Sequence, residues 1–95
     1  MLVVTGAFEL DPADRDAYIG SLSDIMRVSR AEAGCMDYTL APDPLEPGRV
    51  ILSERWESRA HLDAHLKAMT PPASPVAIIS REVLIHEVAS SERLG

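Results

Sequence analysis

A chain of 95 residues has room for one domain, and a domain of that size buries little more than roughly 60% of the surface its unfolded form exposes, so its own core is thin. Apolar residues at 46% and charged residues at 25% exclude a disordered or low-complexity chain. A formal charge of −6, with a single lysine among nine basic residues, leaves no basic stripe to follow a phosphate backbone, and nucleic acid is not an expected partner.

Leu2 to Phe8 is short, valine-rich and followed by Asp11-Pro12, which reads as a strand ending at a helix entrance. Asp11 is placed to cap that helix and Pro12 to open it. Tyr18, Leu22, Ile25 and Met26 then form one apolar stripe, and the helix is expected to end near Gly34. From Cys35 to Leu40 the chain alternates, with Met36, Tyr38 and Leu40 on the face expected to be buried. Pro42, Pro44, Pro47 and Gly48 force a loop, and Arg49 to Trp56 resumes as a third strand. Ser58 can cap a second helix on which Leu62, His65, Leu66 and Met69 share a stripe. Three prolines between Thr70 and Pro75 stop that helix in an irregular crossing or a broken turn. Val83 to Val88 is the fourth strand, and Ser90 to Gly95 a polar tail on a single domain spanning residues 1–95.

The result is an α+β chain of order βαββαβ. Strands one and four are apolar on both faces and strand three nearly so: Leu2, Val3 and Val4; Val83, Leu84 and Ile85; Val50, Ile51 and Leu52. Two helices can cover one side of a four-stranded sheet, so the other side calls for a second copy, a homodimer. Met1 to Leu10 carries no basic residue, and no segment reaches the roughly 20 apolar residues of a membrane span. A cytoplasmic protein with no membrane partner is expected. Cys35, the only cysteine, can form no internal disulfide, and it reads as a small packed side chain.

Leu52, Glu54 and Trp56 share a strand face, because side chains at i, i+2 and i+4 point together. An indole wall beside a carboxylate could hold an aromatic hydroxyl compound. The plainer alternative makes Trp56 core and pairs Glu54 with an arginine such as Arg81. His65 could be a general base or a packed histidine. Tyr38 is core by default and pocket lining in the second instance. His61 precedes His65 at a metal-compatible spacing, but without the glutamate of H-E-x-x-H, and should lean to solvent. His86 belongs to a surface or an interface. There is no glycine-rich phosphate loop, no hydrolase triad motif and no cysteine-based metal pattern.

Glu32-Ala33-Gly34-Cys35-Met36-Asp37-Tyr38, then Glu54-Arg55-Trp56-Glu57-Ser58, then Ala60-His61-Leu62-Asp63-Ala64-His65-Leu66, resemble the antibiotic biosynthesis monooxygenase family, and within it the small quinol monooxygenases. The resemblance runs over Ala31 to Lys67. It implies a ferredoxin-like protomer paired into a dimeric α+β barrel, with a largely apolar pocket between sheet and helix. It also implies oxidation of a phenol or hydroquinone by molecular oxygen with no flavin, haem or metal, hence no cofactor. Carried over by position, His65 and Glu54 are the catalytic candidates, and Trp56, Leu52 and Tyr38 line the substrate. The chain departs from the quinol-type pattern at Met69-Thr70-Pro71-Pro72, where such relatives carry Pro-His, and it has none of the asparagine used by the haem-degrading branch.

Two functions follow. One is a cofactor-independent monooxygenase acting on a small hydroquinone or polyketide-like phenol. The other is a non-catalytic dimer of the same fold that binds a small aromatic ligand or serves in a stress response.

Overall fold

The computed structural model describes residues 1–69 and 76–95. Its elements are β1 (Leu2–Glu9), α1 (Arg15–Ser21), α2 (Ser23–Arg30), β2 (Cys35–Pro42), β3 (Arg49–Trp56), α3 (Arg59–Ala68) and β4 (Ser80–Glu87). The strands form one antiparallel sheet of order β2-β3-β1-β4, so the ferredoxin-like α+β order is present. The crossing expected at Thr70–Pro75 lies outside the described residues. β4 starts at Ser80, three residues before the apolar run that marked it, because pairing with β1 continues to Glu9.

The first helix differs from expectation at both its start and its middle. Asp11 Oδ1 accepts from the Ala13 N–H, and the Asp11 carbonyl accepts from the Asp14 N–H, each at 2.9 Å. Asp11 therefore closes a turn, and the helix begins at Arg15. The break comes at Leu22, between Ser21 and Ser23. Their hydroxyls donate back to the Tyr18 and Gly20 carbonyls at 2.6 and 2.8 Å, competing with the helical backbone bonds, and Gly20 weakens the turn further. The stripe still works across the break. Tyr18 and Leu22 are buried, and Ile25 and Met26 pack on the core.

Ser58 caps α3 as expected, accepting from the His61 N–H. The stripe of this helix is narrower than its spacing suggests. Leu62 and His65 are buried, whereas Leu66 is half exposed and Met69 points partly to solvent.

The core lies between the helices and one sheet face, where Val4, Phe8, Val50, Leu52 and Trp56 meet Tyr18, Leu22 and Leu62. β2 joins this face through a bulge. Cys35 and Asp37 pair with the successive residues Trp56 and Arg55, leaving Met36 as the extra residue. That extra residue reverses the alternation before it. Cys35 packs on the core and Met36 is 46% exposed, against the expected placement, while Tyr38 and Leu40 are buried as expected. The bulge follows Gly34, whose φ of +79° suits glycine, and a Cβ there would collide with the His61 ring.

β4 is exposed along its whole length. Val83 and Ile85 lie opposite Gly6 and Val4, on the helix side of the sheet, yet stay 42% and 44% exposed. Leu84 belongs to the other face, with Ile51 and Thr5. On that face His86 Nε2 lies 2.9 Å from Thr5 Oγ1, exposed to solvent. Among the described residues no helix is long and apolar enough to cross a membrane.

Candidate active site

Alternation along β3 puts Leu52, Glu54 and Trp56 on the core face, with Tyr38 of β2 directly opposite Glu54. Helix α3 lowers His65 onto them. The imidazole sits 4.8 Å from the Trp56 ring, tilted 36°, and 5.3 Å from the Tyr38 ring, tilted 58°. Four of the five predicted residues are thus neighbours: Tyr38, Glu54, Trp56 and His65. Leu52 shares the face one alternation further along, buried in the core.

Glu54 does not pair with Arg81. Arg81 is on β4, its guanidinium 5.5 Å from the centre of the Phe8 ring, while Glu54 Oε1 accepts from Trp56 Nε1–H at 3.0 Å. A carboxylate on a covered sheet face is costly to ionise, and burial pushes the Glu54 carboxyl above its ordinary range. The indole hydrogen bond and the neighbouring His65 pull in the opposite direction. Burial, aided by the Glu54 and Glu32 carboxylates, raises Tyr38 to about 12, against the opposing hydrogen bond from Ser29. Its hydroxyl is a neutral group at physiological pH. The Cys35 thiol is also pushed up, chiefly by burial, which removes it as a nucleophile.

Sequence reasoning assigned no role to Glu32. Its carboxylate Oε1 lies 2.6 Å from His65 Nδ1, bridging from the turn after α2 to α3. No spacing rule connects residues 33 apart, and the only trace in the sequence was Glu32's position just before the turn glycine. His61 is half buried against Gly34, and its Nδ1 lies 2.7 Å from Ser58 Oγ. That geometry ties it to the cap. Among the described residues no group of three or more His, Cys, Asp or Glu side chains converges as a metal site would.

Beside His65 a cavity of about 240 Å³ opens between α2 and α3. It is walled by Ile25, Val28, Ala68 and Met69, with Glu32 and His65 at one side and Asp24 at its edge. The cavity lies between two helices and not between sheet and helix as expected; of the five predicted residues only His65 lines it, and Trp56, Glu54, Tyr38 and Leu52 do not. The arrangement can accept a proton at an imidazole backed by two aromatic rings and two carboxylates, next to a small apolar space.

Residues 1–70 match the family described as antibiotic biosynthesis monooxygenase. A Synechocystis protein, itself uncharacterised, is 28% identical over 100 residues, covering 98% of this chain and 67% of that one. Among solved structures, a proposed monooxygenase of this type from Deinococcus radiodurans has a TM-score of 0.82 at 18% identity, covering 100% of this chain and 99% of its own. Another from Nitrosomonas europaea reaches 0.75 at 17% identity, covering 95% and 100%. A Mycobacterium tuberculosis protein reaches 0.67 at 26% identity, covering 99% and 98%.

Proposed function

Because the chain belongs to the antibiotic biosynthesis monooxygenase family, we propose that it oxidises a small hydroquinone or polyketide-like phenol with molecular oxygen, without a flavin, haem or metal. The observation that carries this reading is His65, buried against Trp56 and Tyr38 and bordering an apolar cavity. For a hydroquinone the reaction consumes one oxygen molecule, inserts one atom into the ring and releases the other as water, leaving a hydroxyquinone. The electrons come from the substrate. Ionisation is the step that needs help, because a phenol with a pKa near the ~10 of tyrosine is almost wholly protonated at neutral pH. Once deprotonated, the ring is itself a donor to oxygen. The protein binds it, takes the proton and excludes water.

His65 is the proton acceptor in this scheme and Glu54 its competitor, since a carboxyl raised by burial could serve as a base. Oxygen uptake by purified metal-free protein over a panel of hydroquinones tests the reading. His65→Ala should lose about 10²- to 10⁴-fold in rate with the fold intact, and Glu54→Gln should lose much less. A reversed order would move the base to Glu54. No uptake with any hydroquinone would return the protein to the binding-module reading.

The working form is proposed to be a homodimer in the cytoplasm. Ile51, Leu84 and the neighbouring small residues leave an apolar patch on the face opposite the helices, and a second copy of that face is a self-complementary cover.

A further inference from the structure

We infer that Glu32 is the positioning residue of His65, and that the pair takes the hydroxyl proton of an uncharged single-ring phenol held between α2 and α3. The inference rests on the oxidative reading for its biological purpose, but its geometry stands alone. A carboxylate only accepts hydrogen bonds, so at 2.6 Å from Glu32 Oε1 it is His65 Nδ1 that carries the hydrogen. That leaves Nε2 as the basic nitrogen. Among the described residues Nε2 has no hydrogen-bond partner, and no buried side-chain nitrogen or oxygen is sealed without one. Nε2 is therefore not sealed from its surroundings, and the cavity is the open space that His65 borders.

Proton transfer balances within this pair. The phenolic O–H bond breaks, a bond forms between that hydrogen and Nε2, and Nδ1–H stays with Glu32. The imidazolium lies between two anions, the carboxylate and the phenolate, and neither is left buried without a counter-charge. Glu32 is a quarter exposed and lines the cavity, whereas the imidazole is enclosed.

Size and charge select the ligand. A cavity of roughly 150 Å³ accepts benzene, and drug-sized ligands take roughly 300–1,000 Å³. A space of about 240 Å³ is sized for one substituted ring and lies below the range of drug-sized ligands. Among the described residues its charged lining, Asp24 and Glu32, is acidic, and His65 is the one basic group in it. A phenol that already carries a carboxylate is disfavoured.

The test uses the full chain and two probes. Nitrogen-15 NMR of the unliganded protein should show the His65 Nδ1–H tautomer in wild type and in Glu32→Gln, whose amide oxygen can still accept, and its loss in Glu32→Ala. Titration with 4-nitrophenol, which resists oxidation and whose anion absorbs in the visible, should show the bound anion in wild type and at least tenfold less of it in Glu32→Ala. Where oxygen uptake is present, kcat in Glu32→Ala should fall about 10- to 100-fold, the usual cost of losing a partner that orients a functional histidine, with KM little changed and Glu32→Gln largely restoring it. An Nε2–H tautomer in wild type, or a tautomer and bound-anion signal unaffected by Glu32→Ala, overturns the inference even if oxygen is consumed. An Nδ1–H tautomer with bound phenolate and no oxygen uptake supports the pair and removes the oxidative reading.

Discussion

The two sides of β1 make unlike halves of one sheet. Toward β3 and β2 every second side chain is covered: Val50 and Trp56 are fully buried, and a carboxylate is enclosed with them. Toward β4 the same kinds of residue, Val83, Leu84 and Ile85, remain more than 40% exposed on both faces. Composition does not separate these halves; cover does. Where helices are laid over the sheet, burial raises the Glu54 carboxyl and the Tyr38 hydroxyl, and His65 is enclosed beside them. Where they are not, equally apolar strands offer a surface for another molecule.

The largest effect should come from the covered half. Trp56→Ala removes a wholly buried indole, leaves Glu54 without its donor and should cost about 3–5 kcal/mol in chemical denaturation. A loss below about 1 kcal/mol would mean that the covered half is not the stabilising one. On the bare side, Ile51→Lys should leave the protomer folded but bury an unpaired ammonium in the paired face. Light scattering should fall from about twice the chain mass of 10.3 kDa to that mass. A wild-type protein that is already monomeric and stable would dissolve the comparison, since the open face would then need no cover.

Smaller effects sharpen it through pH. Tyr38 ionises near 12 in the folded chain, whereas an unfolded tyrosine does so near ~10. The folded state thus holds the extra proton between those values, and stability should drop as pH rises through that window. Tyr38→Phe should remove the drop. Glu54 acts with the same sign at lower pH. Its folded carboxyl is raised, so its contribution is complete below the ordinary carboxylate range and is lost as pH rises through the raised value. Glu54→Gln should flatten that part of the stability profile, measured by thermal unfolding from acid to neutral pH. A slope of opposite sign would show that the indole and imidazole outweigh burial.

Period-two alternation was enough to align Leu52, Glu54 and Trp56, and a capping serine with a helical stripe was enough to bring His65 toward them. These are local rules, and each depends on one element. The failures were of another kind. Met36 leaves its expected face because β2 must pair with β3 after a tight glycine turn, and a bulge is visible only in the pairing. The break at Leu22 needed two serine hydroxyls to find particular carbonyls. Glu32 meets His65 only after two helices have docked. The exposure of Ile85 was hidden for a similar reason, since a valine-rich strand looks the same with or without a helix above it.

The strand order also has a temporal consequence. β1, the first strand of the chain, pairs on one edge with β4, the last, and the Thr5 and His86 side chains that meet across that pair are 81 residues apart in sequence. The β2–β3 hairpin closes over a short loop, but the outer edge of β1 has nothing to bond to until β4 has been synthesised. Closing so distant a pair costs only slightly more entropy than a nearer one, yet it slows the search for the native pairing. A nascent chain therefore carries, until β4 has emerged, an unpaired valine-rich edge that would accept any extended strand. The exposed β4 is what finally seals it, so shortening or charging that strand should show first as aggregation during expression, before any loss of stability in the finished protein.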